Sequence, residues 1–277
     1  MLIDAHAHVW VRDPVTYPWR PTFGFVPADN ASPEDLLRGM NRHAVGHALL
    51  VQPSAYGPDH RFLLDTVRAQ PERFLPVGLI DPADPASVAA AAGLVRDAGC
   101  VGLRVNFSLD EAYARRQATA DVWGQLALLE VPIAVRATPA HHELVLEILG
   151  RYSALPLVVD HLGLPDPGDL ADAEDRLVAL ARFDQCRLKI AGLGYFSRTA
   201  RPYRDLWPLL EAALRSFGAS RLVWGSDYPM GGLEGYAGAV EAMDSMPFLS
   251  AADRERVMAG TALELWGSPR AAARPRP

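Results

Sequence analysis

The chain has 277 residues, 49% of them hydrophobic and 22% charged, a balance that suits a globular protein with a sizeable core. Its formal net charge of -6 argues against a nucleic-acid binder, which would carry a basic face. No apolar run reaches membrane-spanning length, and MLIDAH has neither a basic start nor a long apolar stretch, so a cytoplasmic location is expected.

The first apolar run, LIDAHAHV (2–9), places His6 and His8 two residues apart. Alternation along a strand would point both imidazoles the same way, with Asp4 below them on that face, as two ligands of a metal are delivered. Seven further runs follow: 47–52, 74–80, 101–107, 132–137, 155–161, 187–192 and 221–227. Helical periodicity fills the gaps at 33–44, 58–70, 85–98, 111–129, 140–152, 169–183 and 203–217, and then at 234–246 and 251–266. Ser32-Pro33 marks one helix start and Ser250 another. Cys100 and Cys186 each open an apolar run and are expected to be free, buried thiols.

Eight Val/Leu/Ile-rich runs alternating with helices point to a single (β/α)8 barrel over residues 1–266, with a Pro/Arg/Ala-rich tail at 267–277 expected to be disordered. A doubly wound open sheet is the runner-up, but DAHAHVWVRD is no Gly-rich phosphate turn. A barrel collects its catalytic side chains at the C-terminal strand ends. Polar residues gather there: His6 and His8, Gln52 and Ser54, Arg104 and Asn106, Arg136, His161, Lys189 and Asp227. Asp160, of opposite parity to His161, is expected to face the helices or orient a neighbour. His141 and His142 read as surface residues; His43, His47 and His60 read as structural.

DAHAHVW, VVDHLG and WGSDYP together resemble the amidohydrolase superfamily, specifically its amidohydrolase 2 branch of barrel hydrolases. Within it, VQPSAYGPDHRFLLD (51–65) and PERFLPVGLIDP (71–82) look most like 2-pyrone-4,6-dicarboxylate lactonases and their lactonase relatives. The resemblance implies ring opening of a carboxylated lactone by water, with His6, His8 and His161 as a histidine cluster and Asp227 as the base. Ser54, Tyr56, Arg104 and Arg136 match regions that contact substrate, the arginines by bidentate contact with carboxylates.

Three histidines and an aspartate make a single-metal site that zinc would accept, holding one divalent ion on His6, His8, His161 and Asp227. In a metal-free alternative the histidines would donate hydrogen bonds to the carbonyl oxygen. A two-metal centre is not expected, because Arg136 and Ala137 end strand five where a further histidine would stand. After LKIAG come Leu193, Gly194 and Tyr195 where dicarboxylate binders supply an arginine, with Arg198 as a substitute from further along the loop. That departure favours a substrate other than the pyrone dicarboxylate. The competing class is a metal-dependent decarboxylase on the same barrel, although Lys189-Ile190-Ala191 offers no late histidine. A barrel that only binds would need a missing cluster member, and none is missing. The expected partner is a small molecule, with a homo-oligomer left open.

Overall fold

The computed structural model describes residues 1–21, 26–230 and 232–269. Eight parallel strands lie in sequence order in one sheet: β1 (Leu2–Ala7), β2 (Val45–Val51), β3 (Phe74–Ile80), β4 (Gly102–Asn106), β5 (Ile133–Arg136), β6 (Leu157–Val159), β7 (Cys186–Ile190) and β8 (Leu222–Trp224). Just past β8 the sheet meets β1 again: Asp227 N–H donates to His6 O at 2.8 Å and His8 N–H to Tyr228 O at 2.7 Å. The barrel expectation is borne out.

Helices fill the crossovers: α1 (Pro33–Arg42), α2 (Arg61–Ala69), α3 (Pro85–Arg96), α4 (Glu111–Thr119), α5 (Val122–Ala127), α6 (His142–Arg151), α7 (Leu170–Ala181), α8 (Leu193–Phe196), α9 (Trp207–Phe217), α10 (Gly232–Asp244), α11 (Ala251–Glu255) and α12 (Thr261–Trp266). Ser32 and Ser250 accept from Asp35 N–H and Asp253 N–H, as N-caps should. The helix expected over 111–129 breaks in two. Ala120 is extended, and the Gln117 carbonyl accepts from Trp123 Nε1 at 2.8 Å instead of continuing the helical ladder.

Two apolar layers result. The larger fills the space between strands and helices, with Leu50, Val105, Leu157 and Leu188 against Leu36, Leu144 and Leu210. The smaller lies inside the barrel, where Ile3, Leu49, Val77, Ala134, Val158 and Val223 meet Ala262 and Trp266 of α12. Helix α12 therefore closes the N-terminal mouth. Gly102 is the floor residue that admits it, since a Cβ there would lie 2.9 Å from the Trp266 indole nitrogen. Cys100 and Cys186 are free and buried, their thiols pushed up to about 12 by burial. No helix among the described residues is long and apolar enough to cross a membrane. The tail expected at 267–277 falls outside the described residues from 270 onward.

Candidate active site

The C-terminal mouth of the barrel holds the polar residues. His6 sits at the centre, its ring 4.8 Å from those of both His8 and His161. His6 Nε2 lies 3.1 Å from His8 Nε2 and 3.5 Å from Asp227 Oδ1, which is itself 3.8 Å from His8 Nε2. Both His161 and Asp227 stand beyond the ends of their strands in the left-handed region, at φ 55° and 58°. Such a conformation is costly for a residue with a side chain, and His and Asp tolerate it better than most.

Burial keeps the three histidines uncharged. It lowers His8 to about 3 and His161 to about 4, and with the Lys189 charge it holds His6 well below the ordinary value. Burial acts on Asp227 in the opposite sense, raising it to about 7 against the pull of Arg104. The result is a carboxyl poised near neutrality between two neutral imidazoles.

Asp160 does not face the helices. The left-handed turn at His161 breaks the alternation, so Asp160 and His161 both serve the mouth. The Asp160 carboxylate accepts from Lys189 Nζ at 2.7 Å and from Arg104 Nε at 2.9 Å, and it is fully buried. Burial alone would raise it, but the two cations override that and hold it well below the usual carboxylate range. Lys189 also reaches His6 Nδ1 at 2.9 Å. An ammonium can only donate, so His6 Nδ1 accepts and its proton resides on Nε2. His8 is oriented the other way: its Nδ1–H donates to Val51 O at 2.7 Å, leaving the Nε2 lone pair free to accept from His6.

Asp4 is a second correction. The β1 register shifts between Asp4 and Ala7, and the Asp4 side chain lies in the β1–β8 seam rather than beneath the imidazoles. There it accepts from His6 N–H at 3.1 Å, Ser226 N–H at 2.8 Å and Ser226 Oγ at 2.5 Å.

The substrate-contact candidates divide. Arg136 is half-buried, and no ion pair or hydrogen bond holds its guanidinium among the described residues. Burial and the Arg104 charge pull it down, yet an arginine stays protonated. Arg104 is tied through Nε only. Ser54 sits half-buried on a single turn, Ser54–Tyr56, just after β2. Tyr56 does not offer its hydroxyl: it donates to Val11 O at 3.0 Å and accepts from Val11 N–H at 2.9 Å. Arg198, the expected substitute from the loop after β7, has its Nη2 against Gly168 on the loop after β6. His141 is buried rather than exposed, its Nδ1 accepting from Thr138 N–H. His60 is structural as expected, accepting from Leu79 N–H at 2.9 Å.

Two sets of potential metal ligands share His6: His6, His8 and Asp227, and His6, Asp160 and His161, each with donor atoms within 4.8 Å of one another. The four residues expected to act together do not merge into one set at that reach. In the second set both Asp160 oxygens already hold cations, which leaves the first. Its two nitrogens and one oxygen suit zinc in type, and His8 has the carbonyl partner typical of a ligating imidazole. A cation there would compete with the proton that Lys189 keeps on His6 Nε2.

Comparison with known proteins places the chain in a family. The family model described as Amidohydrolase matches residues 3–268. An L-fucono-1,5-lactonase of Burkholderia ambifaria is 29% identical over 244 residues, covering 85% of this chain and 83% of that protein. A 4-sulfomuconolactone hydrolase of Rhizobium radiobacter is 25% identical over 236 residues, covering 83% and 76%. An amidohydrolase from Burkholderia multivorans, solved with bound zinc, is 29% identical with a TM-score of 0.78 over 97% of this chain and all of that one.

Proposed function

The chain belongs to the amidohydrolase family, and from that premise we propose that it is a lactonase opening a carboxylated lactone with water. The observation that carries this is a buried carboxyl, Asp227, raised to about 7 and placed 3.5 Å from His6 Nε2 at a mouth that also holds the unpaired Arg136. Arg136 and the free Nη groups of Arg104 bind the substrate carboxylate, and Ser54 contributes a hydroxyl at the rim. Lys189, Arg104 and Arg136 bring three positive charges to a mouth whose buried carboxyls are Asp160 and the catalytic Asp227, a net of one positive charge when both are ionised. This excess suits an anionic ligand.

Asp227 takes a proton from water as the oxygen attacks the lactone carbonyl, then returns it to the ring oxygen that leaves. His6 keeps its proton on Nε2, where it donates to His8 at 3.1 Å in the resting site, and turns that donor to the developing oxyanion when the lactone is bound. His8 and His161 hold the rings in place as neutral groups. Were His6, His8 and Asp227 to hold a divalent ion, zinc by donor type, it would supply polarisation of the carbonyl and a more acidic water.

The test is a panel of carboxylated lactones assayed by proton release, repeated in ¹⁸O-labelled water. One label in the new carboxylate is expected. Carbon dioxide release without label would replace hydrolysis by decarboxylation.

A further inference from the structure

A cavity of about 210 Å³ opens beside the mouth, between the loop after β7 and helix α10, and the lactonase proposal does not use it. Its walls are mainly apolar: Leu193, Trp224, Met230 and Ala239, with Tyr195 and Tyr203 adding ring faces. At about 30 Å³ per water-sized group it holds roughly seven such groups, a short alkyl chain or a single ring.

The cavity is joined to the catalytic residues at Gly192. This glycine lies at φ +68°, and a Cβ on it would stand 3.1 Å from Asp227 Oδ2, 3.3 Å from His161 Nδ1 and 3.0 Å from the Tyr195 ring. Only glycine lets the Asp227 carboxyl and the His161 ring close on the backbone here, so the residue that lines the cavity also touches the catalytic groups. The acid-binding groups are elsewhere. Arg104 and Asn106 end β4 and Arg136 ends β5, paired in register with Asn106. In strand order β4 stands across the barrel from β8. Thus one side of the mouth is cationic and polar, and the other is an apolar chamber.

Resting on the lactonase proposal, we infer that the substrate is a lactone with a single acid group and, across the ring from it, an apolar alkyl or aryl arm seated in this cavity. A second carboxylate would enter a chamber whose described lining holds no cation, and a polyhydroxylated arm would find only the Tyr195, Tyr203 and Ser226 hydroxyls in place of its water.

The experiment uses carboxylated lactones of one ring size whose second substituent is hydrogen, propyl, phenyl, hydroxymethyl or carboxylate. Each buried methylene is expected to raise kcat/KM roughly fourfold, so a propyl arm buried along its whole length should exceed hydrogen by about sixtyfold. Carboxylate and hydroxymethyl should fall below hydrogen. Ala239→Leu, which fills the chamber, should shrink the propyl-to-hydrogen ratio towards one. A hydrogen-substituted ring turned over as well as the propyl one, or a preference for the carboxylate arm, would overturn the inference and leave the lactonase proposal standing. Should no ring open, that proposal fails, and calorimetric affinities for the same intact compounds then decide the cavity by the same ordering.

Discussion

Asp227 has two measurable signatures, and they pull in opposite directions. Its carboxyl must be ionised to take a proton, so kcat/KM should rise with pH through an apparent value near 7. Asp227→Asn keeps the shape but removes the base, and kcat should drop by about 10²–10⁴-fold, with the acidic limb gone from what activity is left. Stability should move the other way. A carboxyl raised from 3.8 to about 7 holds its proton longer in the folded chain, so it costs stability as pH climbs between those values and the full cost persists above 7. Thermal melts at pH 8 should therefore place the Asn variant above the parent, and equal melting points would contradict the buried, raised carboxyl. Arg136 offers a cleaner test of charge recognition than Arg104, whose removal would also strip Asp160 of a partner. Arg136→Met should lower kcat/KM by roughly ten- to a hundredfold, the worth of one charged hydrogen bond of about 1.5–3 kcal/mol. Unchanged kinetics would make it rim charge. Elemental analysis should find no more than one divalent ion per chain, since Asp160 is already held by Lys189 and Arg104.

At the level of elements, the alternation of strands and helices was legible because buried parallel strands are written as short apolar runs, and eight of them leave few architectures. The positions of His6, His8 and Arg104 followed from the same alternation. It failed at Asp160 and Asp4, where the backbone departs from it: a left-handed turn at His161 and a register shift in β1. Neither carries a glycine or proline signal at the residue concerned. The Lys189–His6 contact joins residues 183 apart, and nothing local could announce it. Tyr56 was expected near the substrate; its hydroxyl closes a loop contact with Val11, 45 residues away, which no local pattern could announce. The β1–β8 seam is the element on which the site most depends, because Ser226 Oγ bonds Asp4 and also accepts Tyr228 N–H at 3.0 Å. Ser226→Ala leaves the buried Asp4 short of a donor and should cost about 1–3 kcal/mol in a urea titration. Because the seam sets Asp227 against His6, kcat should fall more than KM rises; a stability loss with intact kcat would reduce the seam to a structural role.

Over the whole molecule, the chemistry at one mouth of the barrel depends on how the other is closed. Lys189, Asp160 and Arg104 are ionic groups at almost zero exposure, and such a cluster survives only where water is kept out and every partner is in place. From below, Trp266 supplies that seal: its ring centroid lies 6.0 Å from Lys189 Nζ, and its edge rests against the backbone of Gly102. Helix α12 is the last barrel helix among the described residues, and it completes a site whose central histidine is residue 6. Trp266→Ala would empty the floor and admit water beneath the ammonium. Replacing a buried aromatic in this way costs about 3–5 kcal/mol, and the urea midpoint should fall accordingly. Trp266→Phe restores a ring of most of the lost volume and should recover the greater part of it. Among the described residues the indole nitrogen has no hydrogen-bond partner to forfeit in that exchange. A loss under about 1 kcal/mol on truncation to alanine would mean that α12 merely lies on the barrel, and that the ionic cluster is sealed from the strands alone.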